Sequence, residues 1–145
     1  MTNFPCKDQP DNTIPEDTIV AARVNEVKLE HVTFTKDGKE DSFDKLIWWF
    51  EILDDGPNGT WKGRKIRGQT TANLTNHPNN RFRAWAEALL NRDIGVGFVL
   101  DSDDLVGTNC KITVRHEPDR RDPKTKWERV DEVLPGGGFD DNPPF

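Results

Sequence analysis

Only one stretch of this chain repeats its apolar residues at helical spacing. Phe82, Trp85, Ala86 and Leu89 fall on one stripe, with Arg81, Arg83 and Glu87 on the other side. Asn76-His77-Pro78-Asn79 supplies capping side chains and a proline at the helix start, and the pattern runs out near Asn91. The other periodic segments alternate, as strands do. Three precede the helix and two follow it.

The first strand pattern begins at Thr18. Val20, Ala22 and Val24 alternate, then Val27 and Leu29 alternate in the other phase, so a β-bulge near Asn25-Glu26 is expected to bend a long strand. Residues 36–42 read as a polar turn. The second strand, Phe43 to Leu53, is the most apolar segment: Leu46, Trp48, Phe50 and Ile52 share one face, and Ile47, Trp49, Glu51 and Leu53 the other. One face suits the core; the other needs a further layer or forms a sticky surface. Asp54-Asp55-Gly56-Pro57-Asn58-Gly59 is a turn signal. A third strand is expected over Trp61 to Ala72, where Gly63 and Gly68 mark a bulge, a bend or a close backbone approach. Asp93 to Asp104 reads as a loop, Leu105 to His116 as the fourth strand, 117–125 as a charged hairpin loop and Trp127 to Leu134 as the fifth strand. Residues 1–17 hold scattered acids and prolines without periodicity and read as a flexible arm; 135–145 read as a disordered acidic tail.

Composition narrows the class. With 145 residues, 33% apolar and 32% charged, the chain fits one domain with a small core. No run approaches the ~18 apolar residues of a membrane helix, and the opening residues lack the basic-then-apolar pattern of a secretory signal. Cys6 sits in the polar arm and Cys110 in a strand pattern, so a disulfide framework is not expected and a reducing cytoplasm fits. Net charge is −6, but it is uneven. From Trp61 to Arg92 seven cations face the single Glu87, a net of +6, leaving 13 cations against 25 acids elsewhere, a net of −12. A basic segment in an acidic chain marks a local anion-binding face; a solubilised surface that clusters its charges gives the same count.

Five strands, the first long and bent, with a helix between the third and fourth, match the mainly β Greek-key barrel called the OB-fold, over residues 18–134. In that barrel the helix plugs one end, while strands two and three and the first-to-second and fourth-to-fifth loops line the usual groove for nucleic acid or sugar.

Single-stranded DNA asks a protein for cations along its phosphates and flat rings for its bases. Lys62, Arg64, Lys65, Arg67 and Arg115 are the candidate phosphate contacts, and Trp49, Trp61 and Trp127 the candidate stacking rings. Trp61 stands beside four of those cations; Trp127 follows Arg120, Arg121, Lys124 and Lys126. Trp48 and Trp85 have apolar neighbours and suit the core. Trp49 is preferred over Trp48 as the outward ring because Trp48 keeps phase with Leu46, Phe50 and Ile52, although a one-residue slip inverts the choice.

The tail ends Gly-Phe-Asp-Asp-Asn-Pro-Pro-Phe. It resembles the acidic tip of bacterial single-stranded DNA-binding proteins at Phe139, Asp140, Asp141, Pro144 and Phe145, and departs from it at Gly138, Asn142 and Pro143. A terminal Phe offers ring and carboxylate together to an apolar pocket with a basic lip, and the acids add steering. The body, through Glu51-Ile52-Leu53-Asp54-Asp55-Gly56, Lys62-Gly63-Arg64-Lys65-Ile66 and Asp104-Leu105-Val106-Gly107, resembles a phage-encoded group of OB-fold single-stranded DNA-binding proteins over about residues 16–116. These resemblances imply a sequence-tolerant single-stranded DNA-binding protein acting in replication, recombination or repair, recruiting partner proteins through its tip, in the cytoplasm of a bacterial host if phage-encoded.

Other chemistry is not expected. Asp101-Ser102-Asp103-Asp104 lacks the rest of a calcium loop, His31, His77 and His116 lack zinc-ligand spacing, and no nucleophile stands with a base. The expectation is a non-enzyme without metal or cofactor. Its rivals are an OB-fold protein–protein adaptor and a small nuclease component. The sequence leaves the oligomeric state open, a homo-oligomer included.

Overall fold

The computed structural model describes residues 13–57, 59–119, 121 and 126–136. Within them lie five strands, β1 (Ile19–Lys36), β2 (Lys39–Ile52), β3 (Lys65–Thr71), β4 (Asn109–Pro118) and β5 (Lys126–Pro135), and one α-helix, α1 (Arg81–Leu90). The strands form a closed barrel in the order β1-β2-β3-β5-β4. All neighbouring pairs are antiparallel except β3 with β5, which are parallel and meet at one residue pair, Arg67 with Arg129. No helix among the described residues is long and apolar enough to cross a membrane.

The apolar phase sets which face turns inward. Leu46, Trp48, Phe50 and Ile52 of β2, Ile66 of β3, Cys110, Ile112 and Val114 of β4, and Val130 and Val133 of β5 are buried in one core. The bulge of β1 falls at Asn25, between Val24 and Glu26, so Val20, Ala22 and Val24 before it and Val27 after it share the inner face. Burial pushes the Cys110 thiol up to about 12, which keeps it protonated and unreactive at neutral pH.

Helix α1 covers one opening of the barrel. Asn80 caps it by accepting from the Arg83 N–H at 2.8 Å, and Asn91 ends it in the left-handed conformation, φ 54°. The cap is thus one residue beyond the Asn76–Asn79 segment. Trp85 of α1 meets Trp48 edge-on at 5.3 Å and Phe50 at 5.8 Å, and the Trp48 indole N–H donates to the buried Thr70 hydroxyl at 3.0 Å. Gly68 lies opposite Trp48 in the β2–β3 register, and its missing side chain is what admits Trp85.

Four boundaries differ from the sequence expectation; at one, the fourth strand starts at Asn109 rather than Leu105, because residues 105–107 form a turn with Gly107 left-handed (φ 87°). The turn expected over 36–42 shrinks to Asp37-Gly38, both left-handed (φ 53° and 77°), the geometry that joins two twisted strands directly. Lys39 to Ser42 are therefore strand, and β1 and β2 run on past the barrel as a long two-stranded arm. The third strand starts at Lys65 rather than Trp61. Residues 61–64 make a turn in which Gly63 N–H donates to Ile52 O at 2.8 Å. At the other end, Ile14 is fully buried although the arm was expected to reach residue 17. Its N–H donates to Glu128 Oε2 at 3.0 Å and its carbonyl accepts from His116 Nε2 at 2.7 Å. A single apolar residue carries no period, so this docking leaves no pattern to read.

Candidate nucleic-acid interface

Alternation sends Trp49 of β2, Arg67 of β3, Arg129 of β5 and Arg115 of β4 to the outer face of the barrel. The register then sets them side by side: Trp49 opposes Arg67, Arg67 opposes Arg129, and Arg129 opposes Arg115. One indole and three guanidinium groups thus form a continuous cross-strand row. Like charges directly opposed across strands destabilise a sheet, so this row costs the free protein stability.

The row crosses a cleft of about 700 Å³. Its lining collects six cations from five parts of the fold and one loop: Lys45 of β2, Arg67 of β3, Arg81 of α1, Arg115 of β4, Arg129 of β5, and Arg121 of the β4–β5 loop. Two acids, Glu117 and Asp119, share the lining. Trp127, two residues before Arg129 on the same face of β5, is 48% exposed at the cleft wall, with the Arg129 guanidinium 5.9 Å from its ring centre.

The cluster is only partly compensated. Glu117 pairs with Arg115 and lies 3.9 Å from Arg129; Asp131 lies 3.8 Å from Arg115. Arg67 pairs with no carboxylate among the described residues and reaches only Gln69, at 3.5 Å. The Nε atoms of Arg67 and Arg115 are buried without a hydrogen-bond partner. Burial lowers the Arg129 pKa from its usual range; the Glu117 carboxylate opposes that shift, while Arg67 and Arg115 add to it. Crowded, incompletely paired cations of this kind favour an anion in the cleft.

Of the eight expected contact residues, Arg67, Arg115 and Trp127 line the cleft. Trp49 is half-buried beside Arg67, outside the lining. Lys65 shares the outer face but opposes Glu51, away from the cleft, and Lys62 is exposed in the turn before β3.

Two expected roles need correction. Trp61 is 7% exposed: the turn after β2 folds its ring against Gly56 and into the core, so it offers no free face to a base. Arg64 precedes β3 in the inward phase and is drawn into an ion pair with Glu128, the same carboxylate that holds the Ile14 N–H. It anchors the chain rather than facing the cleft. Sequence reasoning missed Lys45, Arg81, Arg121 and Arg129 as site residues. Arg129 was legible from Trp127, its same-face neighbour two residues away; Lys45 needed the register. The tip residues Phe139, Asp140, Asp141, Pro144 and Phe145 lie outside the described residues.

No protein-family model matches the chain, and none of the curated proteins matches it.

Proposed function

We propose that the barrel is an OB-fold and that its cationic cleft holds single-stranded DNA without sequence preference. The strand order β1-β2-β3-β5-β4, with the helix between β3 and β4, supports the fold assignment. The observation that carries the function is the row Arg67–Arg129–Arg115, two of whose Nε atoms have no hydrogen-bond partner, in a cleft that the exposed Trp127 also lines. Guanidinium groups in such a row suit successive phosphates, and an indole at their edge accepts any base. The role proposed for the cleft is binding and protection of the strand. The resemblance of the tail to an acidic tip supports recruitment of replication, recombination or repair proteins.

Titration with oligo-dT tests the reading. Trp emission is quenched, chiefly at Trp127, and affinity falls with salt at a log–log slope of about −0.7 per phosphate engaged. Absence of bound oligonucleotide at low salt overturns the proposal in favour of a protein–protein adaptor. Degradation of the oligonucleotide with Mg²⁺ overturns it in favour of a nuclease.

A second result follows from Glu117. Its carboxylate stands between Arg115 and Arg129 and repels an incoming phosphate. Removing one like charge at close range in a wet cleft is worth about 1 kcal/mol. E117Q therefore binds oligo-dT more tightly, on the order of fivefold, while the free protein melts at a slightly lower temperature. Weaker binding by E117Q would show instead that Glu117 positions the arginines.

A further inference from the structure

The geometry points to a second base-stacking platform, Phe43 with Phe34, on the arm formed by β1 and β2 beyond the barrel. This platform presupposes the reading of the cleft as a single-stranded DNA interface. It extends that interface onto an element to which neither the arginine row nor Trp127 belongs.

The two faces of the arm differ in kind. In the β1–β2 register, Glu30 opposes Lys45, Val32 opposes Phe43, Phe34 opposes Asp41 and Lys36 opposes Lys39. These pairs continue the outer face of the barrel, the face that bears Trp49 and Arg67. From residue 28 to 45 that face carries Lys28, Lys36, Lys39 and Lys45 against Glu30 and Asp41, a net of +2, and both of the arm's aromatic rings. The opposite face carries Glu40 and Asp44, no Lys or Arg and no Phe or Trp. Its His31 is engaged with Asp44 at 2.6 Å. Cations and rings thus share one side of the arm.

The rings are open. Phe43 is 46% and Phe34 38% exposed, and they meet edge-on at 5.9 Å. An edge-on pair leaves ring faces free for a base, and its partner ring braces the one in use. Phe43 also borders a second cleft, of about 350 Å³, that shares Lys45, Gln69 and Arg81 with the arginine cleft. The two run into each other at those three side chains. A strand lying on the arginine row therefore has a continuous cationic path to Phe43. The occupant assigned to this face is the same DNA strand.

The test compares labelled oligo-dT of about 4 and about 16 nucleotides, the range one such fold occupies, on the full chain. Wild type binds the longer oligonucleotide more tightly. Phe34→Leu with Phe43→Leu keeps the apolar bulk that braces the arm but removes the π-faces. This variant keeps its affinity for the short oligonucleotide and loses about tenfold for the long one, the effect of about one stacked base. Phe43→Trp restores the difference. A leucine variant that retains the full length preference overturns the inference while leaving the cleft reading intact. A leucine variant with unchanged DNA affinity but an altered sedimentation mass assigns the face to association between copies of the chain, and likewise overturns it. Wild-type protein that binds neither oligonucleotide overturns both.

Discussion

Replacing Arg67 and Arg129 together by glutamine lowers the affinity for oligo-dT by about a hundredfold to a thousandfold, read by fluorescence anisotropy at constant salt. Each guanidinium–phosphate hydrogen bond contributes roughly 1.5–3 kcal/mol, because the donor is charged. The two arginines sit at the centre of the row and oppose each other in register, so losing both breaks the row in the middle. The salt slope falls in the same variant, by about 0.7 for each phosphate no longer neutralised. Stability moves the other way or not at all, since like charges directly opposed across strands are removed. Lys62→Gln with Lys65→Gln is the matched control: it deletes as much charge from the neighbouring sequence, away from the cleft, and leaves binding within a few-fold of wild type. Equal losses in the two variants would mean that charge in bulk, not the row, holds the strand.

A large effect on stability is expected at Gly68. A Cβ built there lies 2.6 Å from Trp85 Cη2, 2.8 Å from Cζ3 and 3.3 Å from Val130 Cβ. Trp85 cannot retreat easily, because Trp48 and Phe50 hold its ring from the barrel side. Overpacking of this kind costs typically 1–3 kcal/mol and sometimes more. Gly68→Ala is therefore expected to lower the melting temperature by about 5–10 °C, the scale for a domain of this size. Gly68→Val lowers it further. If the clash is with the indole, Trp85→Phe in the Gly68→Ala chain recovers part of the loss, a coupling that a double-mutant cycle measures. A Gly68→Ala protein that melts with the wild type would show that α1 shifts freely on the barrel.

Much of the fold was written in local periods. The phase flip near Asn25, the inward set on β2 and the stripe of α1 each come from a handful of neighbouring residues, and they suffice for five strands and one helix. The site was less legible, because its charges are gathered by register and not by sequence. Of the seven cations between residues 61 and 92, only Arg67 and Arg81 line the cleft. Arg64 is held by Glu128, and Arg83 by Glu87 and by the carbonyls of Asn76 and Ile94. Arg92 lies over Phe98 at 4.7 Å. The other four lining cations come from β2, β4, β5 and the loop after β4. A run of basic residues signalled a cationic face, yet three of the seven brace the scaffold and two more, Lys62 and Lys65, are exposed away from the cleft. Trp61 shows the same limit: beside four cations it reads as a stacking ring, and only the turn over Gly56 turns it inward.

The parallel β3–β5 pairing closes the barrel through a single residue pair, and that pair is Arg67 with Arg129. The ring is therefore fastened at its thinnest join, under the two side chains with most reason to push apart. A polyanion lying across them would turn that repulsion into a clasp, so that cargo and container hold each other shut.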